Sequence, residues 1–134
     1  MTRSLTLTTD PFNESALIAA RCMGPGMGAA ITFSGVVRGR EAGEPIVAID
    51  YEAFVPMAER QFNLLFDQLA ERWPTLESVR LIHRLGVVRV NEASLWVEII
   101  SPHRGEAFAA CQWLIEEMKR VVPIWKKPVP PTIG

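Results

Sequence analysis

No run of apolar residues in this chain approaches the ~20 needed to cross a bilayer, and Met1 to Thr8 holds no stretch resembling a secretion signal. Membrane and secretory roles are therefore set aside. Cysteine is scarce: Cys22 and Cys111 have neither metal-ligand spacing nor a disulfide framework around them, so the cytoplasm is the expected setting. The two histidines, His83 and His103, lie far apart with no cysteine pair beside them, and neither a metal site nor a cofactor is expected. An excess of one charge is also missing. The formal net charge of -1 excludes a nucleic-acid-binding polycation and requires any anion site to be local. No internal repeat or linker interrupts the 134 residues, which suit one domain around one continuous core.

What is present reads as intermixed strands and helices. Arg3 to Thr8 alternates polar and apolar residues, as a strand does. Asp10-Pro11 predicts a helix opening, with the carboxylate accepting free amides and the proline needing no donor, and the helix covers Phe12 to Cys22 before Gly24-Pro25-Gly26. Gly28 to Val37 is a small and β-branched run that delivers Arg38 into the loop 39–45. Ile46 to Phe54 is its expected partner across that loop. Ala58, Phe62, Leu65, Leu69 and Trp73 then recur at three and four residues, which marks a helix with one buried face, ended by Pro74. Strands over Leu76 to His83, Val87 to Val90 and Ser94 to Ile100 follow. A last helix, Pro102 to Val121, is expected to bury Phe108, Cys111, Ile115, Met118 and Val122. Residues 128–134 are too proline-rich for regular structure and read as an extended tail. Without a strict βαβ repeat, the expected class is α+β.

Cations gather at two places. Lys119 to Lys127 sets several among aromatic and aliphatic residues, where Pro123 breaks the last helix. Lys119 borders the apolar face, and a lysine partly withdrawn from water beside another cation gives up its proton more readily, as proton transfer near neutrality requires. Lys126 lies beyond the helix and can fold back toward it. The other readings are a Lys119 that extends to water and complements the helix C-terminus, and a solvated Lys126-Lys127 pair. At the start of the same helix, Ser101-Pro102-His103-Arg104 combines free amides, which favour anions, with two cations that oppose the helix dipole. That unfavourable placement points to function. Arg38, at a strand end before Gly39, either faces a ligand with its bidentate guanidinium or is a surface loop arginine.

Other candidates are weaker. His83 reads as a packed strand-end histidine, Asp50 and Glu52 share one side of a strand without a specific acid–base signature, and Gly24 to Gly28 precedes a strand instead of opening a helix as a phosphate loop does. Spacing adds a constraint. His103 and Lys119 are sixteen residues apart, which is about 24 Å along a straight helix. One small substrate cannot touch both within one chain, so His103 and Arg104 are expected to complete the pocket around Lys119 and Lys126 of a dimer partner.

Taken in order, several segments resemble the large, catalytic subunit of molybdopterin synthase. They are Phe33-Ser34-Gly35-Val36-Val37-Arg38, Tyr51-Glu52-Ala53-Phe54 with Met57-Ala58-Glu59, Ile82-His83-Arg84-Leu85-Gly86, Val90-Asn91-Glu92-Ala93-Ser94, Ser101-Pro102-His103-Arg104 with Ala107-Phe108, and Lys119 through Lys127, above all Pro123-Ile124-Trp125-Lys126-Lys127. The resemblance implies a cytoplasmic α/β hammerhead-type domain with a mostly antiparallel sheet and packed helices. It implies a homodimer that binds a small ubiquitin-like sulfur-carrier subunit at each end, forming a heterotetramer. Sulfur from the carrier's thiocarboxylated C-terminus would be transferred twice to cyclic pyranopterin monophosphate, forming the dithiolene of molybdopterin. Lys119 would then be the leading catalytic residue with Lys126 assisting, while Arg38, His103 and Arg104 would bind and orient the pterin or its phosphate. No cysteine nucleophile is needed, because the carrier brings the sulfur. Two other functions fit the same residues: a noncatalytic dimeric adaptor for the carrier, against which the two lysines argue, and a phosphate-ester binder for another heterocycle.

Overall fold

The strand Ala93–Ser101 is buried from Ser94 to its end, on both of its faces, and the rest of the molecule is arranged around it. The computed structural model describes residues 1–132. Its elements in order are β1 (Thr2–Thr8), α1 (Glu14–Ala19), β2 (Ala29–Val36), β3 (Arg40–Glu41), β4 (Glu44–Pro45), β5 (Ala48–Ala53), α2 (Val55–Arg72), β6 (Ser78–Arg84), β7 (Gly86–Arg89), β8 (Ala93–Ser101), α3 (Arg104–Val121) and β9 (Ile124–Val129). One sheet has the order β1-β6-β8-β2, with only β1 and β6 parallel, and a second has the order β7-β5-β9, antiparallel throughout. This is the expected α+β class with mostly antiparallel sheet and packed helices. No helix among the described residues is long and apolar enough to cross a membrane.

The main core lies between the first sheet and the two long helices. Ala58, Phe62, Leu65, Phe66 and Leu69 of α2, and Ala107, Ala110, Cys111, Leu114 and Met118 of α3, pack on Val79 and Leu81 of β6 and on Leu95, Val97 and Ile99 of β8. A smaller core of Val37, Ile46, Ile49, Tyr51 and Val88 joins the second sheet to the end of β2. On the opposite face of β8, Glu98 is 1% exposed. It is held by Arg21 and Arg80, each at 2.8 Å, and Arg80 also donates to the Leu17 carbonyl and lies over the Trp96 ring. The α1 segment is thereby fastened to the sheet through charge rather than through an apolar stripe; α1 has no buried residue.

Several expectations are corrected. The strands β2 and β5 do not pair: β2 lies beside β8, and β5 lies between β7 and β9. The loop between them pairs with itself as β3 and β4, turning at Ala42 and Gly43, both at positive φ as a two-residue hairpin turn requires. Val37 then enters the second core and carries the chain from one sheet to the other. The first helix is shorter than Phe12 to Cys22 because its cap is Asn13, whose side chain accepts from the Ala16 amide; Asp10 does not cap it.

In α3 the buried stripe is Ala107, Ala110, Cys111, Leu114 and Met118, whereas Phe108 is 58% exposed and Ile115 only partly covered. Small alanines hold the inward positions, where the helix lies on β2 and β8. Finally, the proline-rich end is not wholly irregular. Pro128 and Val129 complete β9, and proline is tolerated there because β9 is an edge strand. Of the expected tail, residues 130–132 have no regular structure and residues 133–134 lie outside those described.

Candidate active site

Where α3 ends, Pro123 turns the chain into β9, which runs antiparallel to β5 with Lys126 opposite Tyr51 and Lys127 opposite Asp50. Successive residues of a strand face opposite sides, so the two lysines part company. Lys126 joins a cavity of about 680 Å³ that also takes in Arg38, Tyr51, His83, Ser94, Met118 and Lys119, and Lys127 lines no part of it. Phe33, Ser34, Gly35 and Val36 at the end of β2 form another wall. There β2 shifts register against β8 between Gly35 and Val36, and a side chain at position 35 would crowd Leu95 at 3.2 Å. Glycine lets the two backbones meet at that point.

The floor is polar and tied down. Tyr51 is buried and donates to Ser94 Oγ at 3.1 Å, and Ser94 in turn reaches the Gly35 carbonyl at 3.4 Å. The buried His83 sits edge-on to Tyr51, with ring centroids 5.1 Å apart, and its Nδ1 is 2.7 Å from the Arg84 carbonyl oxygen. Burial lowers the His83 pKa below the usual histidine value, the bond to Arg84 opposes this, and the charge of Lys126 lowers it further. The ring is therefore neutral at neutral pH.

Arg38, Lys119 and Lys126 make no ion pair among the described residues, and no carboxylate lines the cavity. The site is built to receive negative charge. A second concavity, of about 490 Å³ on the opposite face of the first sheet, has its charges already satisfied: Glu98 by Arg21 and Arg80, and Glu77 by the Gly24 amide. That amide contact also shows what the Gly24 to Gly28 segment does, which is to bind an internal carboxylate.

The structure thus brings Arg38, Lys119 and Lys126 together and leaves His103 and Arg104 elsewhere. The latter two are exposed at the other end of α3, where His103 is the cap residue and Ser101 Oγ bonds its carbonyl at 2.9 Å. The four residues do not converge within one chain. Of the two readings of Lys119, the single chain shows the one that extends to water. Met118 takes the core position, and Lys119, one residue on, is exposed at the mouth of the cavity, as is Lys126. Cys111 is buried in the main core, which pushes its thiol up to about 11 and keeps it away from the cavity. Sequence reasoning gave no site role to Tyr51, Ser94 or His83. Strand alternation alone could have paired Tyr51 with a β9 lysine, but only once β9 was known to be a strand.

The fold and the cavity define an α+β protein with a cationic, carboxylate-free pocket at the junction of two sheets and a helix end. The model of the family described as MoaE protein matches residues 7–121, and the chain belongs to that family. It is similar to the molybdopterin synthase catalytic subunit of Nostoc sp., at 42% identity over 100 residues that make up 75% of this chain and 61% of that one. To the subunit of the same name from Staphylococcus carnosus it is 36% identical over 107 residues, 80% of this chain and 71% of that one. The chain therefore spans about three fifths of the length of the Nostoc relative. Its fold superposes on the crystal structure of molybdopterin synthase from Staphylococcus aureus with a TM-score of 0.85 and 29% identity, covering 96% of this chain and 92% of that one.

Proposed function

We propose that this protein is the catalytic subunit of a molybdopterin synthase, acting in the cytoplasm. It takes sulfur from the thiocarboxylated C-terminus of a small ubiquitin-like carrier subunit and transfers it to cyclic pyranopterin monophosphate. The observation that carries this reading is the meeting of Arg38, Lys119 and Lys126 in one cavity without a carboxylate, in a chain of the MoaE family. Every species in the reaction is an anion: the cyclic phosphate, the thiocarboxylate and the carboxylate released from the carrier. Three fixed cations offset those charges, and they do so most strongly where water is excluded.

The residues divide the work by position. Arg38 offers a planar fork suited to phosphate oxygens. Lys119 and Lys126 both stand exposed at the mouth, where an inserted carrier tail arrives, Lys126 on the strand opposite Tyr51. Covering the mouth with the carrier tail removes Lys119 from water, the condition under which an ammonium gives up a proton to the departing groups. The chain needs no sulfur nucleophile of its own, and neither cysteine lines the cavity. His103 and Arg104 serve the corresponding pocket of a second copy in a homodimer, each copy carrying one carrier subunit.

The test combines the purified protein, thiocarboxylated carrier and cyclic pyranopterin monophosphate, and measures dithiolene product. Lys119→Ala is expected to lower the rate on the order of 10³-fold while leaving carrier binding and the melting curve unchanged. Absence of product from the wild-type protein, with carrier still bound, would instead identify an adaptor.

A further inference from the structure

Among the cavity's side chains that the reaction as described does not use is a buried histidine. His83 is 5% exposed and lines the cavity together with all three cations. Its Nδ1 lies 2.7 Å from the Arg84 carbonyl oxygen. A carbonyl can only accept, so Nδ1 carries the proton, and the neutral ring presents Nε2 as a bare lone pair. Arg84 Nε is the one buried side-chain nitrogen left without a partner among the described residues. His83 Nε2, which makes no bond to the described protein, therefore opens onto the cavity.

The neighbours fix both the ring's position and its state. Tyr51 of β5 packs against the ring at 77° and is itself held through Ser94 to the Gly35 carbonyl. The charged and titratable groups around His83 are Tyr51, Lys126 of β9, Lys119 of α3, Arg38 beyond β2, and the adjacent Arg84, whose charge is met by Glu92 at 3.6 Å. No carboxylate faces the ring from the cavity lining. Every charged group there is a donor. A flat heterocycle that carries N–H groups as well as a phosphate needs an acceptor in the same enclosure, and a buried donor without one is costly.

We infer that His83 is a specificity-determining residue whose Nε2 accepts a hydrogen bond from a ring N–H of the bound heterocycle, while Arg38 and the lysines take its phosphate. The inference rests on the function proposed above and adds the chemical group by which the heterocycle, as distinct from its phosphate, is recognised. Protonation would convert the acceptor into a donor and a fourth cation. Burial and Lys126 both resist that change, so the acceptor persists down to pH values below the ordinary histidine value of 6.5.

The experiment measures binding of cyclic pyranopterin monophosphate to the full-length protein from pH about 8 to about 5, a range that covers the histidine titration. A cyclic phosphodiester keeps one negative charge throughout, so the ligand's own charge does not contribute. Wild-type affinity is expected to hold at neutral pH and to fall once His83 protonates. His83→Phe, which keeps a flat ring without an acceptor, is expected to weaken binding about tenfold, the worth of one hydrogen bond in a dry site. His83→Gln, with an amide oxygen as acceptor, should recover part of the affinity and lose the acid limb, and it keeps the test open if the phenylalanine variant folds poorly. A simple cyclic phosphodiester lacking the heterocycle should bind wild type and variants alike. Equal affinity of wild type and both variants for the pterin, or tighter wild-type binding on acidification, would overturn the assignment while leaving the proposed function intact. Failure of the wild-type protein to bind the pterin at all would overturn both.

Discussion

Two charged clusters use single side chains in opposite ways. Glu98 is closed off: it is buried and held by two guanidinium groups whose side chains keep 22% and 23% of their surface. Arg38, Lys119 and Lys126 make no ion pair among the described residues, and no carboxylate is in the lining of the cavity they share. The first arrangement serves stability and the second leaves charge available to a ligand. Burial by itself would raise the Glu98 pKa, but the hydrogen bonds and charges of Arg80 and Arg21 outweigh it and bring the pKa below the usual carboxylate value.

A carboxyl whose folded pKa is depressed contributes stability above its unfolded pKa and loses that contribution as pH falls through the folded one. Glu98→Gln should therefore cost about 3 kcal/mol at neutral pH, the low end for breaking a buried pair, because both arginines retain contact with water. Urea denaturation should show the gap between wild type and variant closing as pH drops below the ordinary carboxylate range. An unchanged gap in acid would mean that the Glu98 charge is not what fastens α1 to the sheet.

Elements decide which cation reaches the cavity, and β9 does so through alternation alone. Lys126 and Lys127 are chemically identical neighbours, but the register places one opposite buried Tyr51 and the other opposite Asp50 on the outer side. Lys126→Ala is expected to reduce product formation on the order of 10²-fold, whereas Lys127→Ala should stay within about twofold of wild type. Comparable losses in both variants, measured in the reconstituted assay, would argue for a solvated, non-directional pair.

The same element shows what the sequence made legible. The α2 stripe of Ala58, Phe62, Leu65 and Leu69 could be read directly, because these four apolar residues at helical spacing between Pro56 and Pro74 admit one solution. So could the strong strand around Val97. β9 could not, since its prolines and lysines have poor strand propensity and its place depends on an edge that β5 provides. The α3 stripe was legible only in part, since Cys111, Met118 and Val122 are buried as expected but Phe108 is not. Hydrophobicity favours Phe108, but the surface of β2 and β8 accepts alanines at positions 107 and 110. Lys119 and Lys126 were visible as a cationic cluster, and Arg38 as a separate candidate, because they flank breaks in regular structure. His83 was not, because a strand-end histidine acquires a role only when three other elements close around it.

For the whole molecule, the decisive fact is the length of α3. One end carries Lys119 at the cavity, and the other carries His103 and Arg104, exposed and away from it. If the helix serves two sites, it does so by lending its first turn to a neighbouring copy, as a two-fold dimer permits. That arrangement makes a prediction that no single-chain account shares. Lys119→Ala and Arg104→Ala protomers, each weakly active alone, are unfolded and refolded together so that subunits exchange. In a mixed dimer, one pocket then joins the intact Lys119 of one protomer to the intact Arg104 of the other, and the second pocket lacks both. Random pairing makes half the dimers mixed with one good pocket in two, so activity should return to about a quarter of wild type. If Arg104 acts only within its own chain, no mixed pocket is complete and the mixture stays at the average of its two parents. Product formation measured before and after exchange separates the two cases, with the unexchanged mixture of the same proteins as its own control.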